Sequence, residues 1–259
     1  MNIPRKILKI ILSFLSRWAI RKHKIEVIVV AGFTGSEVTK EGIYQILKEK
    51  FVVRRNTAQI SWDMSLPLAV LGYKDEKRNS IEWLGLIGRA IVTLIFGRNN
   101  PHTLVLNANC KYEETARFWS SFLTPNYFIA LSSPDESKIV RNIFKKLKGK
   151  KSVVIYDNSK IDAKTLNKYK YLKAMSFGEV GTGANLMFDT KTRELIYQGK
   201  SVKIPTIVPL FTYSFIAGVF LAVINHQLSF EEASVEALKF DLGLFLTQRI
   251  KENIERSDR

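Results

Sequence analysis

The 259-residue chain has few of the residues that form disulfides and metal centres. Its single cysteine, Cys110, excludes an internal disulfide and is compatible with a reducing cytoplasm. Its three histidines, His23, His102 and His226, are scattered along the chain and have no metal-ligand spacing. We therefore expect no metal site built on these residues.

Acidic residues are also scarce, since 24 Asp and Glu stand against 40 Lys and Arg, for a net charge of +16. An excess of this size indicates a negatively charged partner, either nucleic acid or an anionic membrane surface. The lysine runs at residues 145–151 and 164–173 carry no nucleic-acid-binding motif and are typical of solvated faces. We therefore expect the inner membrane surface, and not nucleic acid, as the partner.

Proline-, glycine- or serine-rich linkers and internal repeats are absent too, which favours one sizeable domain. Apolar runs alternate with helical segments and predict strands at residues 51–54, 103–106, 127–131 and 152–156. This alternation predicts an α/β fold with a mainly parallel sheet covered by helices on both faces. Short strands and turns at residues 184–204 predict an antiparallel hairpin at the sheet edge.

Residues 27–41, VIVVAGFTGSEVTKE, resemble a phosphate-binding loop without its working side chains. Residues 27–31 predict a buried strand and residues 38–48 the following helix. A GxxGK[ST] loop needs a lysine for the phosphates and a hydroxyl for Mg²⁺, but Ser36 and Glu37 occupy those positions. A carboxylate at Glu37 would compete with a phosphate for the helix N-terminus. The candidate site is a degenerate phosphate loop that consists of Gly32, Thr34, Gly35, Ser36 and Glu37.

Several segments in fixed order resemble one family over about residues 24–239. They are AGFTGSEVTKE against TGSxGKTTTKE, SWDMSLPLAVL against NNEIGVPLTLL, LVLNANC against VxExGA, VVIYDNS against NxDD, SFG at residues 176–178, and an apolar helix with its continuation at residues 209–232. Together they resemble the ATP-binding central domain of the Mur ligases, most closely the branch that adds D-Ala-D-Ala to the UDP-MurNAc-tripeptide. The resemblance implies a P-loop-like fold, and it makes Asn158 a candidate ribose contact. It also implies flanking domains, which we expect to be missing from this chain.

The same resemblance implies that the catalytic chemistry has been lost. Mur ligases make an acyl phosphate from ATP, which requires a lysine and Mg²⁺ at the transferring phosphoryl group. Here Asn107 stands where the family has a metal-binding Glu, and no histidine follows the strand that ends near Leu131. We therefore expect a pseudoenzyme with no catalytic residue, no metal ligand and no cofactor. The alternative is an ATP- and Mg²⁺-dependent ligase whose missing domains are supplied by a partner chain.

Two basic, apolar segments lie outside these motifs. Residues 1–24 predict an amphipathic helix with no acid, whose membrane contacts would be Lys6, Lys9, Trp18 and Arg21. The alternative is a helix docked on the domain's own surface. Residues 80–98 predict an inserted helix that is either buried in the core or a second membrane or partner contact. Residues 204–224 are apolar and long, but their prolines and polar residues favour a buried helix over a membrane span.

These observations divide the chain into an N-terminal helix at residues 1–24, a Mur-ligase-like domain at 25–240 and a helical tail at 241–259. The expected protein is cytoplasmic and peripheral on the inner membrane face. There it would act as a binding or scaffold protein of cell-wall precursor metabolism, with a cell-wall biosynthesis protein as a further partner.

Overall fold

A computed structural model describes residues 4–32, 35–56, 63–74, 78–97, 101–147, 151–169, 173–203, 219 and 228–238. The strands are β1 Glu26–Ala31, β2 Val53–Arg55, β3 Thr103–Asn107, β4 Tyr127–Ala130, β5 Val153–Asp157, β6 Lys173–Glu179, β7 Leu186–Asp189, β8 Glu194–Tyr197 and β9 Lys200–Lys203. The helices are α1 Arg5–Lys22, α2 Ser36–Leu47, α3 Ser65–Leu71, α4 Ser80–Phe96, α5 Glu113–Phe122, α6 Lys138–Leu147, α7 Ala163–Asn167 and α8 Phe230–Leu238.

The strands form one sheet in the order β2-β3-β1-β4-β5-β6-β7-β8-β9. Strands β1 to β7 are parallel, and β8 pairs antiparallel with both β7 and β9. The predicted α/β fold with a mainly parallel sheet and an antiparallel edge is therefore confirmed. Strand β3 lies on one side of β1 and β4 lies on the other. The strand order therefore reverses its direction at β1. In open α/β sheets, ligand sites lie at such switch points, beyond the carboxyl ends of the strands.

Strand β1 shows why the sheet is covered on both faces. Its residues 27–31 are all apolar and fully buried, and successive side chains of a strand point to opposite faces. Accordingly Val27, Val29 and Ala31 pack in one hydrophobic cluster with α5 and α6. Ile28 and Val30 pack in a second cluster with α2. This central strand therefore contributes to two hydrophobic cores, one on each face of the sheet.

Helix α1 is docked on the domain by one face, which bears on the two alternatives for residues 1–24. Leu8, Leu12, Leu15 and Ala19 are buried among side chains of α3 and α4 and the central core. The carboxylate of Asp63 accepts bonds of 2.7 Å from both Arg5 and Lys9. The docked alternative therefore holds for this face of α1, whereas the opposite face stays exposed.

Helix α4 is only half buried, so the interpretation of residues 80–98 as a core helix is wrong for its outer face. Its N-terminus is fixed by a capping box, in which the side chain of Asn79 accepts from Glu82 N and the Glu82 carboxylate accepts from Asn79 N. One face packs inward through Trp83, Leu86, Ala90 and Leu94. Ile87 is partly buried beside them, and the other large apolar residues of this helix are exposed.

The two edges of the sheet are short and basic. Strand β2 has three residues, two of them arginines, and β9 carries Lys200 and Lys203. The turn between β8 and β9 uses Gln198 and Gly199, both with positive φ, as a two-residue hairpin turn requires. The predicted edge hairpin is present, with β9 added outside it.

Other predictions fall outside the described residues. These are the tail at 241–259 and nearly all of the apolar segment at 204–224. Among the helices that the structure describes, none is long and apolar enough to cross a bilayer.

Candidate functional site

The candidate site lies at the carboxyl ends of β1 and β3, where the two parallel strands are paired with Val30 opposite Asn107. The loop after β1 leads into α2, which begins at Ser36 as the sequence pattern predicts to within two residues. Asn107 ends β3 and therefore lies beside this loop. The fold thus brings together two predicted positions, Glu37 and Asn107, that are 70 residues apart.

The backbone of the loop passes very close to the neighbouring strand. Gly32 has a φ of 147°, and a Cβ added there would lie 2.7 Å from Leu131 Cβ and 2.9 Å from the Leu131 carbonyl carbon. Gly35 precedes α2 in the left-handed region, which glycine adopts without steric cost. Both predicted loop glycines therefore have a conformational reason to be glycine. Thr34 lies outside the described residues.

Glu37 bridges the two sides of the site. Its Oε1 accepts a bond of 2.7 Å from Lys40 Nζ, one turn further along α2. Its Oε2 accepts a bond of 2.7 Å from Asn107 Nδ2. The carboxylate thus lies in the first turn of α2, where the helix dipole favours an anion.

Lys40 is the buried centre of this arrangement. Its side chain is 0% exposed, and its Nζ contacts Glu37 Oε1 at 2.7 Å, Glu41 Oε1 at 2.7 Å and the Asn56 carbonyl oxygen at 2.8 Å. Three acceptors match the three protons of an ammonium group. Lys40 is thus held by oxygen atoms of Glu37, Glu41 and Asn56.

Glu41 has a second cationic partner, Arg55. The two side chains form an ion pair, with the Glu41 side chain only 3% exposed. The Arg55 guanidinium also stacks over the Tyr44 ring at 4.1 Å from its centroid, an arrangement that suits a planar cation. The network that begins at Glu37 therefore continues through Lys40 and Glu41 to strand β2.

Asn56 and Asn107 lock the ends of β2 and β3 together. Asn56 Nδ2 donates to the Asn107 carbonyl at 3.0 Å, and Asn107 N donates to Asn56 Oδ1 at 2.8 Å. The side-chain Oδ1 of Asn107 accepts from Asn109 N at 3.0 Å. With Nδ2 bound to Glu37, both polar atoms of the Asn107 side chain are engaged inside the protein.

No family model and no curated protein matches this sequence, but solved structures match the fold. MurF from Acinetobacter baumannii matches with a TM-score of 0.67 and 16% identity, over 90% of this chain and 50% of that chain. MurF ligase from Thermotoga maritima, solved in complex with ADP, matches with a TM-score of 0.60 and 16% identity, over 86% and 51% of the two chains. The chain has the fold of the Mur ligases. It spans about half the length of these structures.

The Mur ligase fold extends to a more distant match. A pseudomurein peptide ligase type C from Methanothermus fervidus matches with a TM-score of 0.53 and 10% identity, over 84% of this chain and 50% of that chain. The predicted resemblance to the Mur ligase central domain is therefore confirmed at the level of the fold.

Within the Mur ligase fold, Asn158 lies apart from the loop. It follows β5, which is separated from β1 by β4, and its Nδ2 donates to the Thr182 carbonyl at 3.0 Å. The preceding Asp157 accepts from Ser159 N and Oγ at 2.9 Å and 2.7 Å. Asn158 is thus engaged in a local turn, and its role as a ribose contact stays a prediction.

The four predicted membrane contacts of α1 have different environments. Lys6 and Arg21 are exposed, and Trp18 is partly buried beside Lys22, whose Nζ lies 5.8 Å from the Trp18 ring centroid. Lys9 binds Asp63 and Glu114 at 2.7 Å and 2.9 Å. Burial would lower the pKa of Lys9, but these two carboxylates outweigh it and raise the pKa.

Asp63 shows the reciprocal effect. Burial by itself would raise its carboxyl pKa, but the bonds from Arg5 and Lys9 outweigh burial and lower it. Asp63 also joins α1 to α5, because its carbonyl accepts from Trp119 Nε1 at 2.8 Å. Sequence reasoning did not single out Asp63, Arg55 or Asn56, whose partners lie far away in the chain. The only sign in the sequence that these three residues matter is that each is a polar residue next to an apolar segment.

Proposed function

We propose that this chain is a non-catalytic domain of Mur ligase fold. It acts as a binding or scaffold protein at the inner membrane face, in cell-wall precursor metabolism. The link to the cell wall is supported by the names of the matching structures, which include a UDP-N-acetylmuramoylalanyl-D-glutamyl-2,6-diaminopimelate--D-alanyl-D-alanyl ligase. A cell-wall biosynthesis enzyme is therefore the partner class that we propose.

The observation that carries the non-catalytic part is the bridge formed by Glu37. Transfer of a phosphoryl group needs cations where its negative charge spreads. In this loop, Ser36 occupies the position of the phosphate-binding lysine. The next residue, Glu37, has a carboxylate that already accepts hydrogen bonds from Lys40 and Asn107. An incoming triphosphate would meet like charge at the helix N-terminus. It would also have to break both bonds of Glu37.

The donor set does not fit a magnesium-bound nucleotide either. Mg²⁺ prefers oxygen ligands in octahedral geometry, usually with one or two carboxylates. Asn107 directs an amide NH₂ at Glu37, which is the one carboxylate placed between the loop and β3 in the described residues. We infer that the loop keeps its shape through Gly32 and Gly35, while its charges are satisfied internally.

Isothermal titration calorimetry with Mg·ATP tests the non-catalytic part. We expect no binding heat from the wild-type chain at millimolar nucleotide. The double variant Ser36→Lys/Glu37→Thr, which supplies the missing cation and hydroxyl and removes the acid, should gain Mg²⁺-dependent binding. Ser121→Lys/Glu49→Thr makes the same change in net charge at exposed positions elsewhere, and it should behave like the wild type.

A second candidate is an ATP-dependent ligase of the acyl phosphate type that works with a partner chain. The match covers about half the length of the Mur ligase structures. This observation favours the second candidate, since a partner chain could supply domains that correspond to the other half. Mg²⁺-dependent ATP binding or ADP release by the wild-type chain, abolished by changes in the loop, would favour this candidate and contradict the first.

A further inference from the structure

Helices α1 and α4 carry most of the exposed apolar surface in the described part of the chain. Thirteen large apolar side chains are exposed there, and nine belong to these two helices. Those nine are Ile7, Ile10, Phe14, Ile81, Leu84, Ile91, Val92, Ile95 and Phe96. Single exposed apolar residues are ordinary, but a concentration of them on neighbouring elements marks an interaction surface.

On α4 the exposed residues form a continuous stripe. Ile81, Leu84, Ile91 and Ile95 are spaced by three, seven and four residues, so they lie along one side of the helix. Gly88 fills the gap between them, with no atom within 4 Å of an added Cβ. The stripe therefore extends from Ile81 to Ile95, about 21 Å at 1.5 Å per residue.

Helix α1 lies beside α4 and points the same way. Leu8 and Leu12 cluster with Trp83 and Leu86 near the start of both helices. At their other ends, Lys22 Nζ donates to the Leu94 carbonyl at 2.5 Å and the Ile95 carbonyl at 3.1 Å. Since both helices bury one face in the same clusters, their exposed faces lie next to each other on the protein surface. We call this pair of exposed faces the α1–α4 surface.

A groove on the α1 part of this surface combines apolar and basic side chains. It has a volume of about 360 Å³ and is lined by Phe14, Arg17, Trp18 and Arg21. Aromatic rings and guanidinium groups that line one groove suit an amphiphile, whose acyl part is apolar and whose phosphate pairs with arginine.

Charge decides which occupant fits the α1–α4 surface. The two helices contain seven cationic residues and a single acid, Glu82, whose carboxylate is used in the capping box. A second copy of a chain with a net charge of +16 would be repelled, and protein interface cores are depleted of lysine. An anionic bilayer attracts the same charge, and its acyl region accepts the apolar stripe.

We propose that the α1–α4 surface docks flat on a bilayer of anionic lipids. The apolar stripe lies at the acyl boundary, and Lys6, Arg17 and Arg21 lie among the headgroups. This inference rests on the proposed membrane-face function and specifies its surface and partner. It is independent of the catalytic state of the phosphate loop.

The first experiment is flotation of the full chain with vesicles of phosphatidylcholine, alone or mixed with phosphatidylglycerol. We expect strong binding to the mixed vesicles, weak binding to the neutral ones, and loss of binding as salt is raised. Absence of wild-type binding to the mixed vesicles overturns both this inference and the membrane part of the proposed function.

Two exposed residues of the stripe provide the decisive variant, Leu84→Glu/Ile91→Glu. Placing two carboxylates in the stripe should weaken binding to the mixed vesicles at least tenfold, since charged groups are costly at the acyl boundary. The matched control is Val52→Glu/Val235→Glu, which makes the same charge change at exposed apolar positions away from α1 and α4. The control should bind like the wild type, and circular dichroism should show both variants folded.

The remaining outcomes separate this inference from the proposed function. Equal loss in the variant and the control would mean that net charge alone drives binding. That result would overturn the α1–α4 surface and leave membrane association standing. A concentration-dependent dimer in sedimentation, abolished by Leu84→Glu/Ile91→Glu but not by the control, would assign the surface to a second copy and overturn the inference. ATP turnover would contradict only the non-catalytic proposal.

A basic pair tests the headgroup contact. Arg17→Gln/Arg21→Gln should weaken binding to the mixed vesicles about 30-fold, since each basic residue near an anionic surface contributes about a factor of five. Lys191→Gln/Lys203→Gln removes the same charge at exposed positions on the sheet-edge hairpin and should have a much smaller effect. Equal effects of the two pairs would contradict the proposed orientation.

Discussion

Replacing Lys40 by methionine should test whether the charge network around Lys40 stabilises the fold. Methionine has a length and helix propensity similar to those of lysine, so the change removes the ammonium group with little loss of packing. The ammonium is fully buried and contacts three oxygens at 2.7 to 2.8 Å. Its loss leaves the carboxylate of Glu41, which is 3% exposed, with Arg55 as its remaining cation.

The expected cost follows from this geometry. Removing one partner of a buried ion pair typically costs about 3–5 kcal/mol. Arg55 still compensates Glu41, and the Glu37 side chain is 24% exposed, so we expect the lower end, about 3 kcal/mol. For a domain with a typical total stability of about 5–15 kcal/mol, this is a large fraction.

Urea denaturation at neutral pH, followed by tryptophan fluorescence and circular dichroism, measures the effect. The midpoint should fall while the slope stays unchanged. The matched control is Lys48→Met at the end of the same helix, where the side chain is 41% exposed and lies 3.9 Å from Glu49. Exposed pairs of this kind contribute about 0–1 kcal/mol. If Lys40→Met unfolds at the same midpoint as Lys48→Met, the network is not a stabilising element.

Two further predictions concern the docking of α1 and the turn of the loop. Because the pKa of Asp63 is lowered in the folded protein, its contribution is present at neutral pH and lost as pH falls through the folded pKa. Asp63→Asn should therefore lower the free energy of unfolding by about 1–2 kcal/mol at pH 7. The difference from wild type should shrink as pH falls below the ordinary aspartate pKa of about 3.9, and it should vanish once Asp63 is protonated in the folded protein; a difference that does not shrink with falling pH would contradict the ion pairs. Gly32→Ala should cost about 2 kcal/mol more than Gly181→Ala, since only Gly32 would clash, against Leu131, and both have positive φ; equal costs in urea denaturation would contradict this close approach.

The central strands and the hairpin could be predicted because their sequence patterns are local. Residues 27–31 are apolar without a break, which is typical of a strand buried on both faces. The hairpin turns were visible from Asp189 to Arg193 and at Gln198 and Gly199. The strand at 51–54 was displaced by two residues at its start and one at its end, since β2 is Val53–Arg55.

The network at the candidate site could be predicted only in part. Glu37 was expected at the helix N-terminus because its position in the loop is local. Its bond to Asn107 depends on the pairing of β1 with β3, and that of Lys40 to Asn56 on the end of β2. These contacts arise from the strand order, which no single segment of sequence reveals.

The exposed face of α4 was not distinguishable from a core face. The helix is apolar nearly all round, a pattern that is typical of a buried helix. Only the packing of α1 and α3 against one side shows which apolar residues stay outside. Amphipathic spacing in α1 likewise fitted both docking and membrane contact, and the structure uses its inner face for docking.

The short basic strand β9 at one end of the sheet has a consequence for self-association. An unpaired strand is a template onto which another molecule can add its own strand, and lysine or arginine there makes that addition unfavourable. With Lys200 and Lys203 exposed on β9, the outermost described strand at that end of the sheet, copies of this chain crowded on one surface would repel each other at this sheet margin. Growth into sheet-extended polymers is thereby discouraged.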